Sequence, residues 1–214
     1  MKYNTIIFDL DGTLLNTLDD LRDSLNDVLI TRGFMTRTPE EVRRFVGNGV
    51  MSLMRQAVPP NCSEEVIAIC MDEFKDRYKN NMQNKTRPYN GIMELLLDLN
   101  RYNYKMAIVS NKFDTAVKAL SRTYFGNLIP VAIGESPSVR RKPAPDSIYT
   151  AIHELNSDLK NTIIVGDSET DVLTAKNAGI PCIGVTWGFR SREVLRNTDA
   201  DYLIDTPKEL LTII

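Results

Sequence analysis

Thr5-Ile6-Ile7-Phe8-Asp9-Leu10-Asp11-Gly12-Thr13 decides how this chain is read: a short apolar run ends abruptly in two carboxylates and a glycine. A continuous apolar run of this length, bounded by polar residues, reads as a strand buried on both faces. Two similar runs follow. Lys105-Met106-Ala107-Ile108-Val109 enters Ser110-Asn111-Lys112, and Thr162-Ile163-Ile164-Val165 enters Gly166-Asp167-Ser168. Each run delivers a polar cluster at its carboxyl end, so the three clusters are candidates for one shared site.

Shorter strand candidates are Val131-Ala132-Ile133, Cys182-Ile183-Gly184-Val185 and Tyr202-Leu203-Ile204, separated by helical patterns such as 92–100 and 115–124. Strand alternating with helix predicts an α/β fold with a doubly wound parallel sheet. Ligands bind such sheets beyond the carboxyl ends of the strands, where Asp9, Ser110 and Asp167 fall. From 18 to 86 the character changes: Leu21, Leu25, Val28 and Leu29 keep helical spacing, without a strand pattern. The expected organisation is a core of residues 1–17 and 87–214 carrying an inserted helical domain, 18–86. Hinges are expected near 15–17 and 86–90, the second leading into the turn-forming Arg87-Pro88-Tyr89-Asn90-Gly91.

Composition excludes several classes. Hydrophobic residues at 43% and charged residues at 25% of 214 suit a globular protein. A net charge of −2 gives no reason to expect a nucleic-acid partner. No segment reaches membrane-spanning length, and the N-terminus has no signal-peptide pattern. Cys62, Cys70 and Cys182 form neither a CxxC pair nor an even set, which suits a reducing compartment and buried thiols. A cytoplasmic protein acting on a small molecule, as monomer or homodimer, is expected.

Asp9-Leu10-Asp11-Gly12-Thr13 fixes four residue types, a coincidence with chance probability on the order of 10⁻⁵ per window. Two carboxylates so placed at a strand end repel unless a cation joins them. Gly166-Asp167-Ser168-Glu169-Thr170-Asp171 brings further carboxylates to another strand end, and hard oxygen ligands in this number suit Mg²⁺. Turns and helix caps use the same residue types, so Asp167 or Asp171 taken singly is open to either reading. Ser110 and Asn111 offer neutral donors, and Lys142, beside Pro143, a fixed cation.

In this order the clusters resemble the haloacid dehalogenase superfamily, in its phosphatase branch with a helical cap of the C1 type, over nearly the whole chain. The resemblance implies that Asp9 attacks phosphorus to form an aspartyl phosphate, while Asp11 protonates the leaving oxygen and later activates water. It implies Mg²⁺ held by Asp9, the Asp11 carbonyl and Asp167, with Asp171 ligating or orienting nearby. Ser110, Lys142 and Thr13 would bind phosphoryl oxygens. One departure is Asn16, where many relatives carry Asp.

Asp11 favours phosphoester hydrolysis over carbon–halogen chemistry. Val46-Gly47-Asn48-Gly49 is similar to the cap loop of phosphoglycolate phosphatases, and equally suits a plain helix connector. With Gly47 and Asn48 at the substrate and Arg43 meeting its carboxylate, phosphoglycolate leads as substrate. A sugar-phosphate phosphatase or a β-phosphoglucomutase-like phosphotransferase is the alternative, although relatives of the mutase kind use a cap histidine and the single His153 lies outside 18–86. A non-catalytic phosphate-binding regulatory module is the alternative of another class, which the intact Asp11 disfavours. Trp187 and Phe189 read as packing near the hinge. Lys142→Ala is expected to lower turnover by a large factor; unchanged steady-state kinetics would contradict the phosphate-binding role.

Overall fold

The structure is a computed structural model describing residues 2–214. Its main sheet contains β1 (Thr5–Phe8), β4 (Lys105–Phe113), β5 (Val131–Glu135), β6 (Thr162–Gly166), β7 (Cys182–Val185) and β8 (Tyr202–Ile204). They are ordered β5-β4-β1-β6-β7-β8, and every pairing is parallel. The order reverses at β1, and both of its neighbours carry polar clusters at their ends. Phe8 lies in register with Ile108 on one side and Val165 on the other, so Asp9, Ser110 and Asp167 leave the sheet side by side. The predicted doubly wound sheet is therefore the observed one.

β1 is buried on both faces because its side chains alternate: Ile6 and Phe8 join one apolar cluster and Ile7 another. The helices α5 (Ile92–Arg101) and α6 (Asp114–Tyr124) cover the Ile6 and Phe8 face, while α7 (Asp146–Glu154) and α8 (Glu169–Ala178) cover the Ile7 face. α9 (Arg192–Arg196) precedes β8. β4 extends past the expected 105–109 to Phe113, its pairing with β5 changing register between Val109 and Phe113. Such irregularities re-aim side chains, and Ser110, Asn111 and Lys112 lie within this one.

Four helices form the insertion: α1 (Leu18–Thr31), α2 (Pro39–Phe45), α3 (Val50–Ala57) and α4 (Glu64–Asn81). The spacing of Leu18, Leu21, Leu25, Val28 and Leu29 buries one face of α1 in the same cluster as Phe8 and Leu10. Thr38 and Glu41 cap α2 reciprocally, and Pro39 opens it with a suitable backbone angle.

Both expected hinge segments contribute to a two-stranded antiparallel ribbon. β2 (Leu15–Asn16) pairs with β3 (Arg87–Pro88), so entry and exit of the insertion run together. Trp187 packs beside it, its indole N–H donating to the Thr13 carbonyl at 3.0 Å. His153 is exposed on α7; Cys70 and Cys182 are buried, whereas Cys62 is only half-buried. No helix among the described residues is long and apolar enough to cross a membrane.

Asp20, buried in the first turn of α1, grips the returning chain. Its carboxylate accepts from the Lys85 N–H at 3.0 Å and the Thr86 N–H at 2.9 Å. Asp20→Ala is therefore expected to destabilise the protein by about 2 kcal/mol, read as a lowered denaturation midpoint, while Asp19→Ala on the exposed face changes little.

Candidate active site

Asp9 leaves β1 with its N–H bonded to the Val165 carbonyl at 2.9 Å, which fixes the turn out of the sheet. Its Oδ1 accepts from the Lys142 ammonium at 2.8 Å, and the same ammonium donates to Asp171 Oδ1 at 2.6 Å. The other Asp171 oxygen accepts from the Ser168 N–H and hydroxyl, so Asp171 caps α8 and also serves the site. Asp167 is held by the Phe189 N–H at 2.6 Å and faces the Thr13 hydroxyl at 3.4 Å. Gly12 is required opposite it: φ is 89°, and a Cβ there would overlap the Asp167 carboxylate.

One oxygen each from Asp9, Asp167 and Asp171 lie within 4.8 Å of one another. Burial pushes Asp9 up to about 7 against the pull of Lys142, with Asp171 and Asp11 adding repulsion. Burial also raises Asp167 well above its ordinary value, helped by Asp9 and Asp171. Burial opposes the Lys142 charge, yet Asp171 and Asp9 hold its pKa above the ordinary lysine value. One ammonium among three carboxylates leaves this corner rich in negative charge, and the all-oxygen donor set fits a hard divalent cation such as Mg²⁺. Lys142 is itself buried between two carboxylates, so its removal burdens the fold as well as the chemistry.

Asp11 has partners of its own. Both of its oxygens lie 2.9 Å from Lys112 Nζ, and Oδ1 also accepts from the Thr17 hydroxyl at 2.7 Å. Asp9, Asp11, Ser110 and Lys112 line a cavity of about 50 Å³ whose wall also includes Leu21, Leu53 and Phe74 of the insertion.

Of the residues expected to meet substrate from 43–48, Gly47 lines this cavity. Arg43 is exposed and outside the lining, and the Asn48 side chain accepts from Thr170 at 3.1 Å. Asn111 donates from its amide to the carbonyls of Gly47 and Lys142, both at 3.0 Å, joining insertion to core. Arg190, which the sequence reading missed, completes that junction. It pairs with Glu169 at 3.1 Å and donates to the Arg43 and Val46 carbonyls, both at 2.8 Å. Lys112 falls in one of the three clusters expected to share a site, but the sequence reading gave it no role of its own.

Comparison with known proteins agrees with this geometry. The sequence profile of the family described as haloacid dehalogenase-like hydrolase matches residues 6–185. A phosphoglycolate phosphatase of Mesorhizobium japonicum is 34% identical over 201 residues, 91% of this chain and 87% of its own length. The pyrophosphatase PpaX of Listeria innocua is 29% identical over 218 residues, covering 100% of this chain and 97% of its own. Among solved structures, a proposed phosphoglycolate phosphatase from Lactobacillus delbrueckii subsp. bulgaricus superposes with a TM-score of 0.94 at 32% identity, covering 100% of this chain and 99% of the other. The chain thus belongs to the haloacid dehalogenase-like hydrolase family, and stands among its phosphatases.

Proposed function

We propose that this phosphatase hydrolyses a small phosphomonoester with Mg²⁺ as cofactor and Asp9 as nucleophile, phosphoglycolate being the favoured substrate. The observation that carries the reading is the convergence of Asp9, Asp167 and Asp171 on one point, with Lys142 bridging two of them. Asp9, the Asp11 carbonyl and Asp167 would hold the cation, with Asp171 beside them. When bound, Mg²⁺ supplies the positive charge that lets an anionic nucleophile approach an anionic phosphate.

In this reading an Asp9 oxygen attacks phosphorus, the bond from phosphorus to the leaving oxygen breaks, and a protonated Asp11 gives that oxygen its proton. Water, deprotonated by Asp11, then attacks phosphorus and releases inorganic phosphate and free Asp9. Ser110 and Thr13 orient phosphoryl oxygens, and Lys142 offsets charge built up in the transition state. The insertion excludes water during transfer and must part to readmit it.

Cavity size accommodates a small substrate. About 10–15 Å³ of such volume holds one water, so the space of about 50 Å³ beside Asp9 has room for a substrate of a few heavy atoms. Pyrophosphate is the second reading, favoured by the full-length likeness to the Listeria pyrophosphatase. A reducing cytoplasmic compartment suits the free cysteines.

Assay of phosphoglycolate, pyrophosphate and glucose 6-phosphate with Mg²⁺, using Asp9→Asn as the inactive blank, tests this. At least tenfold higher kcat/KM for phosphoglycolate is expected. A faster hexose phosphate overturns the substrate assignment, and retained activity in Asp9→Asn overturns the mechanism.

The pH dependence of stability gives a separate check. Folded Asp9 keeps its proton up to about pH 7, whereas the unfolded chain releases it near 3.8, so the folded state binds more protons between these values. Stability of the metal-free protein should fall as pH rises through that window. Urea midpoints measured from pH 5 to 8 should decline without Mg²⁺ and decline less with it, because a bound cation replaces the proton.

A further inference from the structure

Lys112 is the cavity cation that the proposed reaction leaves without a role. Its side chain is 3% exposed, clamped between the Asp11 carboxylate and the Tyr78 ring, whose centroid is 4.4 Å from Nζ. Tyr78 is fixed in turn by stacking on Phe74 at 5.5 Å and by edge contact with Phe113, and its buried hydroxyl has no partner among the described residues. The other cation of the cavity wall, Arg190, is committed to Glu169 and two carbonyls of the insertion. Lys112 thus presents the positive charge that can change partners, at a wall otherwise built largely from apolar side chains. Desolvation there strengthens a charge-assisted contact.

The ion pair also constrains Asp11. Both carboxylate oxygens are engaged by Lys112, and one by Thr17 as well. We infer that Lys112 is the specificity-determining residue for the leaving group. It binds an anionic substituent, carboxylate or phosphate, on the far side of the ester, exchanging Asp11 for that anion and freeing Asp11 to face the leaving oxygen. Substrates with a neutral leaving group leave the Lys112 to Asp11 pair intact and turn over poorly. This rests on the phosphatase reading above, and gives Lys112 the part that the sequence suggested for the exposed Arg43.

Ethyl phosphate is phosphoglycolate with a methyl group in place of the carboxylate, so the two esters isolate the charge. The wild-type enzyme, Lys112→Met, Lys112→Arg and Arg43→Met are compared on both esters with Mg²⁺, folding being checked by thermal denaturation. Lys112→Met should lower kcat/KM for phosphoglycolate about 10- to 100-fold more than for ethyl phosphate, with partial rescue in Lys112→Arg and little differential effect in Arg43→Met. Equal losses on the two esters would mean that Lys112 serves only to hold Asp11, overturning the inference while leaving the phosphatase reading intact. If the wild-type enzyme hydrolyses neither ester, the phosphoglycolate assignment fails instead. Calorimetric binding of phosphoglycolate then decides for Lys112: affinity lost in Lys112→Met upholds the anion site, and unchanged affinity removes it.

Discussion

Like charges buried close together push a fold apart, and the fold tolerates Asp9, Asp167 and Asp171 in one corner through the ammonium that Lys142 places between two of them. The rest of the catalytic end is arranged around that arrangement. Parallel pairing of β1 with β4 and β6 brings the polar ends of three strands together, and Gly12 permits the first loop to approach Asp167 without a side chain in the way. Asp171 is fixed by Ser168 as well as by Lys142, so the start of α8 is tied to the same charge balance. Removing Lys142 would leave Asp9 and Asp171 buried without their shared counter-charge.

The junction over this site is made by residues adjoining those that build it. Asn111 follows Ser110, Thr170 precedes Asp171, and Arg190 follows the Phe189 whose N–H holds Asp167. All three reach the segment 43–48, through the Gly47 carbonyl, the Asn48 side chain, and the carbonyls of Arg43 and Val46. Three of these four acceptors are backbone carbonyls, so the junction depends more on the path of the segment than on its side chains. These contacts tie the core loops directly to the insertion.

Much of this was legible in the sequence because it is local. An apolar run followed by Asp9-Leu10-Asp11-Gly12-Thr13 specifies a strand and the carboxylates at its end, and parallel pairing brings such ends together. The same logic gave Ser110, Asp167 and Asp171. What stayed hidden depends on long-range approach. The two residues each of β2 and β3 carry no strand pattern and pair only because the chain returns there. β4 continues through Ser110-Asn111-Lys112, a polar triplet that reads as a loop, because pairing with β5 resumes at Phe113. Lys112 and Arg190 would be solvated charges in a lone core, and the packed insertion turns them inward. Arg43 is the converse case, a cation in a suggestive segment whose helix faces it outward.

The ribbon of β2 and β3 has a consequence for how such proteins diversify. The chain leaves and re-enters the core through strands paired with each other and separate from the main sheet, so everything between Asn16 and Arg87 begins and ends at neighbouring points. Opposed residues in an antiparallel pair stand about 5 Å apart, a spacing that many folded segments can meet at their termini. A different lid can therefore be spliced onto the same chemical engine without retuning the central strands, and ancestry can alter what is recognised while conserving how it is cleaved.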